Sequence, residues 1–306
     1  MKLMSVFALA LLLVACAKDP QDIQEEAAKC MSSGDYKCAE SNFRWLLKRK
    51  PSDVQIQANL AFALTSQDKH TEAISIYQKL INEGEGTYDF FAYFATSLNA
   101  VGREDDAITW NYRALSIVPR LVDVRGSLAK LLVKKGRPYE ALSLLASFDD
   151  ELESQGKAPY FKAQRIAITT TLLSAPSEIA TSTLRAAKIG GHHYSIVIGK
   201  NDESLPFMID TGASHTTMSP QTLDALGSTV PQDAKRITLQ TADKREIVGR
   251  QFLLPRLQIG PYSLKSVQVV VCETCASLLG QTTLERFDLA TSKVDGVDFL
   301  SLKLRS

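Results

Sequence analysis

Residues Phe207-Met208-Ile209-Asp210-Thr211-Gly212-Ala213-Ser214 set an apolar run directly before a carboxylate, a hydroxyl and a glycine. The run reads as a strand and Asp-Thr-Gly as the turn that ends it. Gly212 permits a close or strained turn there. A carboxylate held on such a turn can activate water. If a second carboxylate faces it and the two share one proton, one takes a proton from water while the other protonates the carbonyl of an amide. A peptide bond is then cut with no metal and no covalent intermediate. Two such groups cannot both be ionised cheaply at close range, so the pair titrates as a unit, and activity falls when both protons are lost. Asp-Thr-Gly occurs once in the chain, and Asp202, Asp224 and Asp288 lack the following Thr-Gly. Those three read as turn, helix and strand-edge residues, so the second carboxylate must come from another chain.

Downstream stands Val269-Val270-Val271-Cys272-Glu273-Thr274-Cys275-Ala276-Ser277-Leu278-Leu279-Gly280-Gln281-Thr282-Thr283-Leu284, a strand, a short loop, then two apolar residues and Gly. With Asp-Thr-Gly, this segment resembles the two signatures of retropepsin-like aspartic peptidases, and Leu284-Glu285-Arg286-Phe287 is similar to the run after Leu-Leu-Gly in their bacterial members. The resemblance covers roughly residues 180–306. It implies a β-barrel protease domain with Asp210 catalytic and Thr211, Gly212, Ala213, Leu278, Leu279 and Gly280 in support, the second signature passing behind the catalytic turn. It implies an isologous homodimer through this domain, each subunit giving one Asp and the Thr211 hydroxyl bonding across to its twin. Arg236 to Thr241 and Glu246 to Phe252 read as two strands. In the family that hairpin is a flap closing over substrate. Its tip, Thr241, Ala242, Asp243 and Lys244, has no Gly, a departure from the retroviral pattern. Ala213 stands where pepsin-like enzymes have a hydroxyl for the outer carboxylate oxygen, so activity is expected to reach nearer neutral pH, not to be confined below about pH 4.

Lys2 precedes an apolar run from Leu3 to Leu13, too short to span a bilayer stably. Its end, Leu13-Val14-Ala15-Cys16, resembles a bacterial lipobox, which implies cleavage before Cys16, lipidation of that residue and, with Ala17 next, a place on the periplasmic side of the outer membrane. Removing Cys16 from the five cysteines leaves Cys30, Cys38, Cys272 and Cys275, two close pairs that an exported chain can oxidise. Cys272-x-x-Cys275 also has half a zinc spacing, but no second Cys or His pair lies near, and a disulfide is the reading preferred. By the resemblance this bridge stiffens a wall of the substrate cleft.

Ala39, Ala73, Ala107 and Ala141 recur every 34 residues, as do Ala27, Ala61, Ala95 and Ala129. Period and residue size match the tetratricopeptide repeat, a helix hairpin in which Ala sits where helices approach closest. Leu64, Leu98 and Leu132 share a register that Cys30 fills in the first repeat. Glu26 replaces the later Leu60, Phe94 and Leu128, as befits a terminal cap. Gly34, Gly102 and Gly136 mark turns, while Pro51 and Pro119 end second helices. The expected architecture is therefore multi-domain α + all-β: signal peptide 1–15, four repeats in an α-solenoid over 16–155, a capping helix (158–173) and linker within 156–179, and the β-barrel domain from 180 to 306.

Leu184 to Ile189, Tyr194 to Ile198 and Leu205 to Ile209 read as strands, and Ser219 caps a short helix to Leu226. His192 and His193 adjoin Gly190-Gly191 at a hairpin, with no carboxylate in ligand spacing. No metal or other cofactor is expected. A formal net charge of +1 over 306 residues gives no nucleic-acid surface. Two function classes follow: a lipid-anchored endopeptidase acting on extended protein segments, with a protein partner, substrate or regulator, in the repeat groove; or an adaptor whose peptidase-like domain only binds peptide. The intact Asp-Thr-Gly favours the first.

Overall fold

The computed structural model describes residues 19–174, 183–240 and 244–305. Cys16 and the flap residues Thr241, Ala242 and Asp243 lie outside them. The chain divides into two compact units, residues 1–85 and 86–306.

The first unit holds α1 (Pro20–Ser33), α2 (Tyr36–Leu47), α3 (Val54–Thr65) and α4 (His70–Asn82). Asp19, Asp35 and Asp53 cap the first three by accepting backbone N–H groups of the opening turns. Cys30 and Cys38 are bridged, with Cα atoms 5.7 Å apart, and tie α1 to α2. The second unit opens with α5 (Tyr88–Ala100), α6 (Glu104–Ile117), α7 (Val122–Lys134), α8 (Pro138–Ser154) and α9 (Lys162–Ser174). All eight repeat alanines are 0% exposed, which is why the period tolerates nothing larger. Glu26 is exposed, whereas Leu60, Phe94 and Leu128 are buried. The helix expected from residue 158 begins at Lys162, because the Tyr160 and Phe161 amides donate instead to the buried Asp149 carboxylate at 2.8 and 2.9 Å.

The β region comprises β1 (Leu184–Ala187), β2 (Tyr194–Ile198), β3 (Ser204–Ile209), β4 (Thr216–Met218), α10 (Pro220–Ala225), β5 (Lys235–Gln240), β6 (Glu246–Ile259), β7 (Tyr262–Val271), β8 (Leu278–Leu279), α11 (Gln281–Leu284), β9 (Phe287–Val294) and β10 (Val297–Leu304). One sheet runs β2-β3-β8-β4-β7-β6-β5, and a further β2–β6 pairing at Val197↔Ile259 closes it into a ring with β5 outside. The ring encloses Val197, Phe207, Met218, Val267, Val269 and Leu279. A second sheet, β1-β10-β9, adds Leu184, Leu300 and Leu302 to that core.

β6 runs seven residues past the expected Phe252 (259 − 252). Pro255 argues against a strand, yet the register passes from Leu254↔Val267 to Arg256↔Lys265, stepping over Pro255 and Ser266, and Ser266 takes φ 50°. The β9–β10 hairpin escaped the sequence reading although Asp295-Gly296, at φ 46° and 79°, carries a hairpin signal.

Helices of the second unit pack on its sheets. Ser143 Oγ on α8 donates to Tyr194 O at 2.8 Å, and Arg113 to Gly296 O at 3.0 Å. Tyr112 meets the Phe299 ring edge-on at 5.4 Å. Its hydroxyl donates to Glu140 at 2.7 Å, and burial pushes both groups' pKa values up. Arg165 on α9 joins Asp149 at 3.0 Å and donates to Ser204 Oγ at 3.1 Å, fixing α8 and α9 to the start of β3.

Candidate active site

The strand β3 delivers Asp210. Met208 and Ile209 pair in parallel with Leu278 and Leu279, and Asp210 N donates to Leu279 O at 3.0 Å. The second signature segment, expected to pass behind the turn, thus lies beside β3 as its parallel neighbour. Behind it β4 pairs antiparallel with β8 through Thr217↔Leu278, so the short strand β8 is clamped on both edges. Ile209 and Leu279 are buried, while Thr211 and Gly212 are exposed and Asp210 is half-buried. A carboxylate on an accessible turn above an apolar floor can meet a substrate and still be held in place.

The turn closes through Ala213 N donating to Asp210 O at 3.2 Å, and Gly212 N donates to Asp210 Oδ1 at 2.9 Å. Gly212 is not in the left-handed region; a Cβ there would lie 3.3 Å from Asp210 Oδ1. The carboxylate, not a strained backbone, is what crowds this position. Gly280 is different, since its Cβ would fall 2.2 Å from His215 O and 2.8 Å from Ala213 O. Only a residue with no side chain lets the two signatures touch.

Three residues after Gly280 supply contacts that the sequence reading left unassigned. Gln281 N donates to Ala213 O at 2.8 Å and Gln281 Nε2 to Thr211 O at 2.6 Å. Thr282 Oγ1 accepts from Thr216 N at 3.0 Å, and Thr283 Oγ1 lies 2.6 Å from Thr216 Oγ1, which also accepts from Gly280 N at 3.2 Å. The run of hydroxyl and amide side chains at 281–283 beside Thr216-Thr217 was the available signal, but partners nearly seventy positions apart cannot be matched by spacing.

Cys272 and Cys275 are bridged, with Cα atoms 5.2 Å apart, in the loop between β7 and β8. β5 and β6 form the expected hairpin, from Lys235↔Gln251 to Gln240↔Glu246. Lys244, at its turn, adopts φ 67°, where glycine is the usual occupant. His192 bridges back to Ile189 across Gly190-Gly191. His193 Nδ1 stands 3.0 Å from Ala186 O, and burial lowers the pKa of its ring. Asp202 lies in a 3₁₀ turn, Asp224 on α10 pairs with Lys200 at 2.9 Å and Asp288 on β9 with Arg305 at 3.0 Å. Among the described residues no three His, Cys, Asp or Glu side chains gather as a metal site would require, and no helix is long and apolar enough to cross a membrane.

Residues 196–286 match the family model described as gag-polyprotein putative aspartyl protease. No curated protein matches the chain. Among solved structures, a retropepsin-like aspartic protease from Rickettsia conorii is similar at 25% identity, over 40% of this chain and 92% of that one, with a TM-score of 0.32. MamA (residues 41 to the end) from Desulfovibrio magneticus RS-1 is similar at 16% identity, over 45% of this chain and 77% of that one, with a TM-score of 0.41. A MamA structure labelled MSR-1 is similar at 18% identity, over 46% and 81%, with a TM-score of 0.40. By the family match and the strand order around Asp210, the segment 196–286 is a retropepsin-like aspartic protease domain, and it follows helix pairs of the tetratricopeptide kind.

Proposed function

We propose that this protein is an aspartic endopeptidase that cuts extended protein segments with water activated between Asp210 and the same residue of a second subunit. The observation that carries the reading is the Asp210 turn: a half-buried aspartate whose carboxylate accepts from Gly212 N at 2.9 Å and whose main-chain N–H donates to Leu279 O at 3.0 Å. One such turn per chain makes half a dyad, so the active species is a two-fold dimer. An extended substrate lies between the β5–β6 hairpin and the turn, with backbone bonds supplying affinity and side-chain pockets supplying choice. Lipidation at Cys16 places the enzyme on the periplasmic side of the outer membrane, and the helical repeats recruit substrate or a regulator.

Asp210→Asn keeps the shape and removes the charge. The parent is expected to cleave members of a peptide library and the variant none, with binding and thermal stability nearly unchanged. Equal cleavage by both would end the assignment. Binding by both with cleavage by neither would indicate the adaptor instead. Labelling with a palmitate analogue, lost in Cys16→Ser, tests the anchor.

A further inference from the structure

The peptide group between Thr211 and Gly212 is engaged at both ends. Its N–H, on Gly212, donates to Asp210 Oδ1 at 2.9 Å, and its C=O, on Thr211, accepts from Gln281 Nε2 at 2.6 Å. The plane of one rigid amide therefore links an exposed side chain after the second signature to the carboxylate of the first. Rotation of that plane about its flanking bonds would cost the carboxylate its donor, and within the subunit Thr211 and Gly212 are both exposed. The amide of Gln281 opposes that rotation. It also polarises the peptide, so that the N–H end is a stronger donor, as happens along chained hydrogen bonds. Gln281 is itself anchored, since its main-chain N–H is bound to Ala213 O at 2.8 Å.

We infer that Gln281 is a positioning residue for the catalytic turn, acting on Asp210 through the Thr211–Gly212 peptide. Its side-chain bond goes to Thr211 O and not to the carboxylate. Its effect on the carboxylate is one of orientation: the Gly212 N–H fixes Oδ1, and freeing that N–H loosens the side chain. The catalytic consequence rests on the peptidase reading; the structural link does not.

Gln281→Ala and the isosteric Gln281→Glu separate the two, and both spare the main-chain bond to Ala213 because the side chain is exposed. The structural readout is the Gly212 amide resonance in glycine-labelled full-length protein, assigned by its loss in Gly212→Ala. It should move upfield in Gln281→Ala. The catalytic readout is cleavage of a peptide that the parent cuts. In Gln281→Ala, kcat should fall about five- to tenfold, the factor for one lost hydrogen bond of ordinary strength, with KM within about twofold. Gln281→Glu can donate only when protonated, so it should match the parent below roughly pH 4 and fall behind above it, a pattern that mere loss of packing does not produce. An unmoved Gly212 resonance in Gln281→Ala overturns the inference whatever kcat does, and so does a Gln281→Glu deficit independent of pH. A moved resonance in a protein whose parent cuts nothing upholds the positioning contact and removes the peptidase reading instead.

Discussion

Gly280→Ala tests the packing at the heart of the site. A methyl group at Gly280 would lie 2.2 Å from His215 O, 2.5 Å from His215 C and 2.8 Å from Ala213 O. Carbon and oxygen ordinarily approach no closer than about 3.3 Å, so the overlap is roughly 1 Å. None of the three atoms belongs to a side chain that could swing aside. Ala213 O is bound by Gln281 N, and the chain just after His215 is pinned through Thr216 to both Thr282 and Thr283. Overpacking commonly costs about 1–3 kcal/mol, and opposition by main chain puts this case near 3 kcal/mol. For a unit of this length that is roughly 6–12 °C off the melting temperature. Calorimetry of the full chain should show the transition of residues 86–306 moving down by that amount, with the transition of residues 1–85 unmoved. Gly212→Ala is the control, because its methyl would meet only the Asp210 Oδ1 atom at 3.3 Å and should leave the melt almost unchanged. A Gly280→Ala protein that melts within about 2 °C of its parent would refute the close crossing of the two signatures.

Two further outcomes follow from ion pairs. Arg165→Ala removes the ionic partner of Asp149, which is 0% exposed and keeps only the Tyr160 and Phe161 amides, together with the bond to Ser204 Oγ; unfolding of the second unit in urea should lose about 3 kcal/mol, and a loss under about 0.5 kcal/mol would contradict these contacts. In the first unit Glu40 is pushed up by partial burial, but hydrogen bonds from Lys69, Arg44 and Gln67 outweigh that and hold its pKa below the usual carboxylate value. A depressed folded-state pKa gives stability that is present above the unfolded value, about 4.3, and lost as pH falls through the folded one. With Trp45 as sole fluorophore in a Trp110→Phe background, the parent should therefore lose its advantage over Glu40→Gln as pH drops from about 5 to 3; a constant difference would refute the linkage.

Several features were legible without coordinates because their physics is local. An apolar strand entering Asp-Thr-Gly, alanines repeating every 34 residues and cysteines eight and three positions apart each express contacts within a turn, a helix hairpin or a short loop. The Asp210 turn, the eight helices of the repeats and both disulfides were read on that basis. The expected strand ended at Phe252, whereas β6 continues through Pro255, which cannot donate to a ladder but is accommodated by a long-range register.

Tertiary structure alone decided what surrounds Asp210. Gly280 is required by the His215 carbonyl, Gln281 reaches Thr211 across seventy positions (281 − 211), and Thr216 joins Thr282 and Thr283. None of these pairs has a periodicity to betray it, because each forms only when β3, β8 and β4 have come side by side in a closed ring. Chain spacing encodes which residues share a face of one element. Which faces then meet depends on the order in which strands close around a core, and that order is a property of the whole domain.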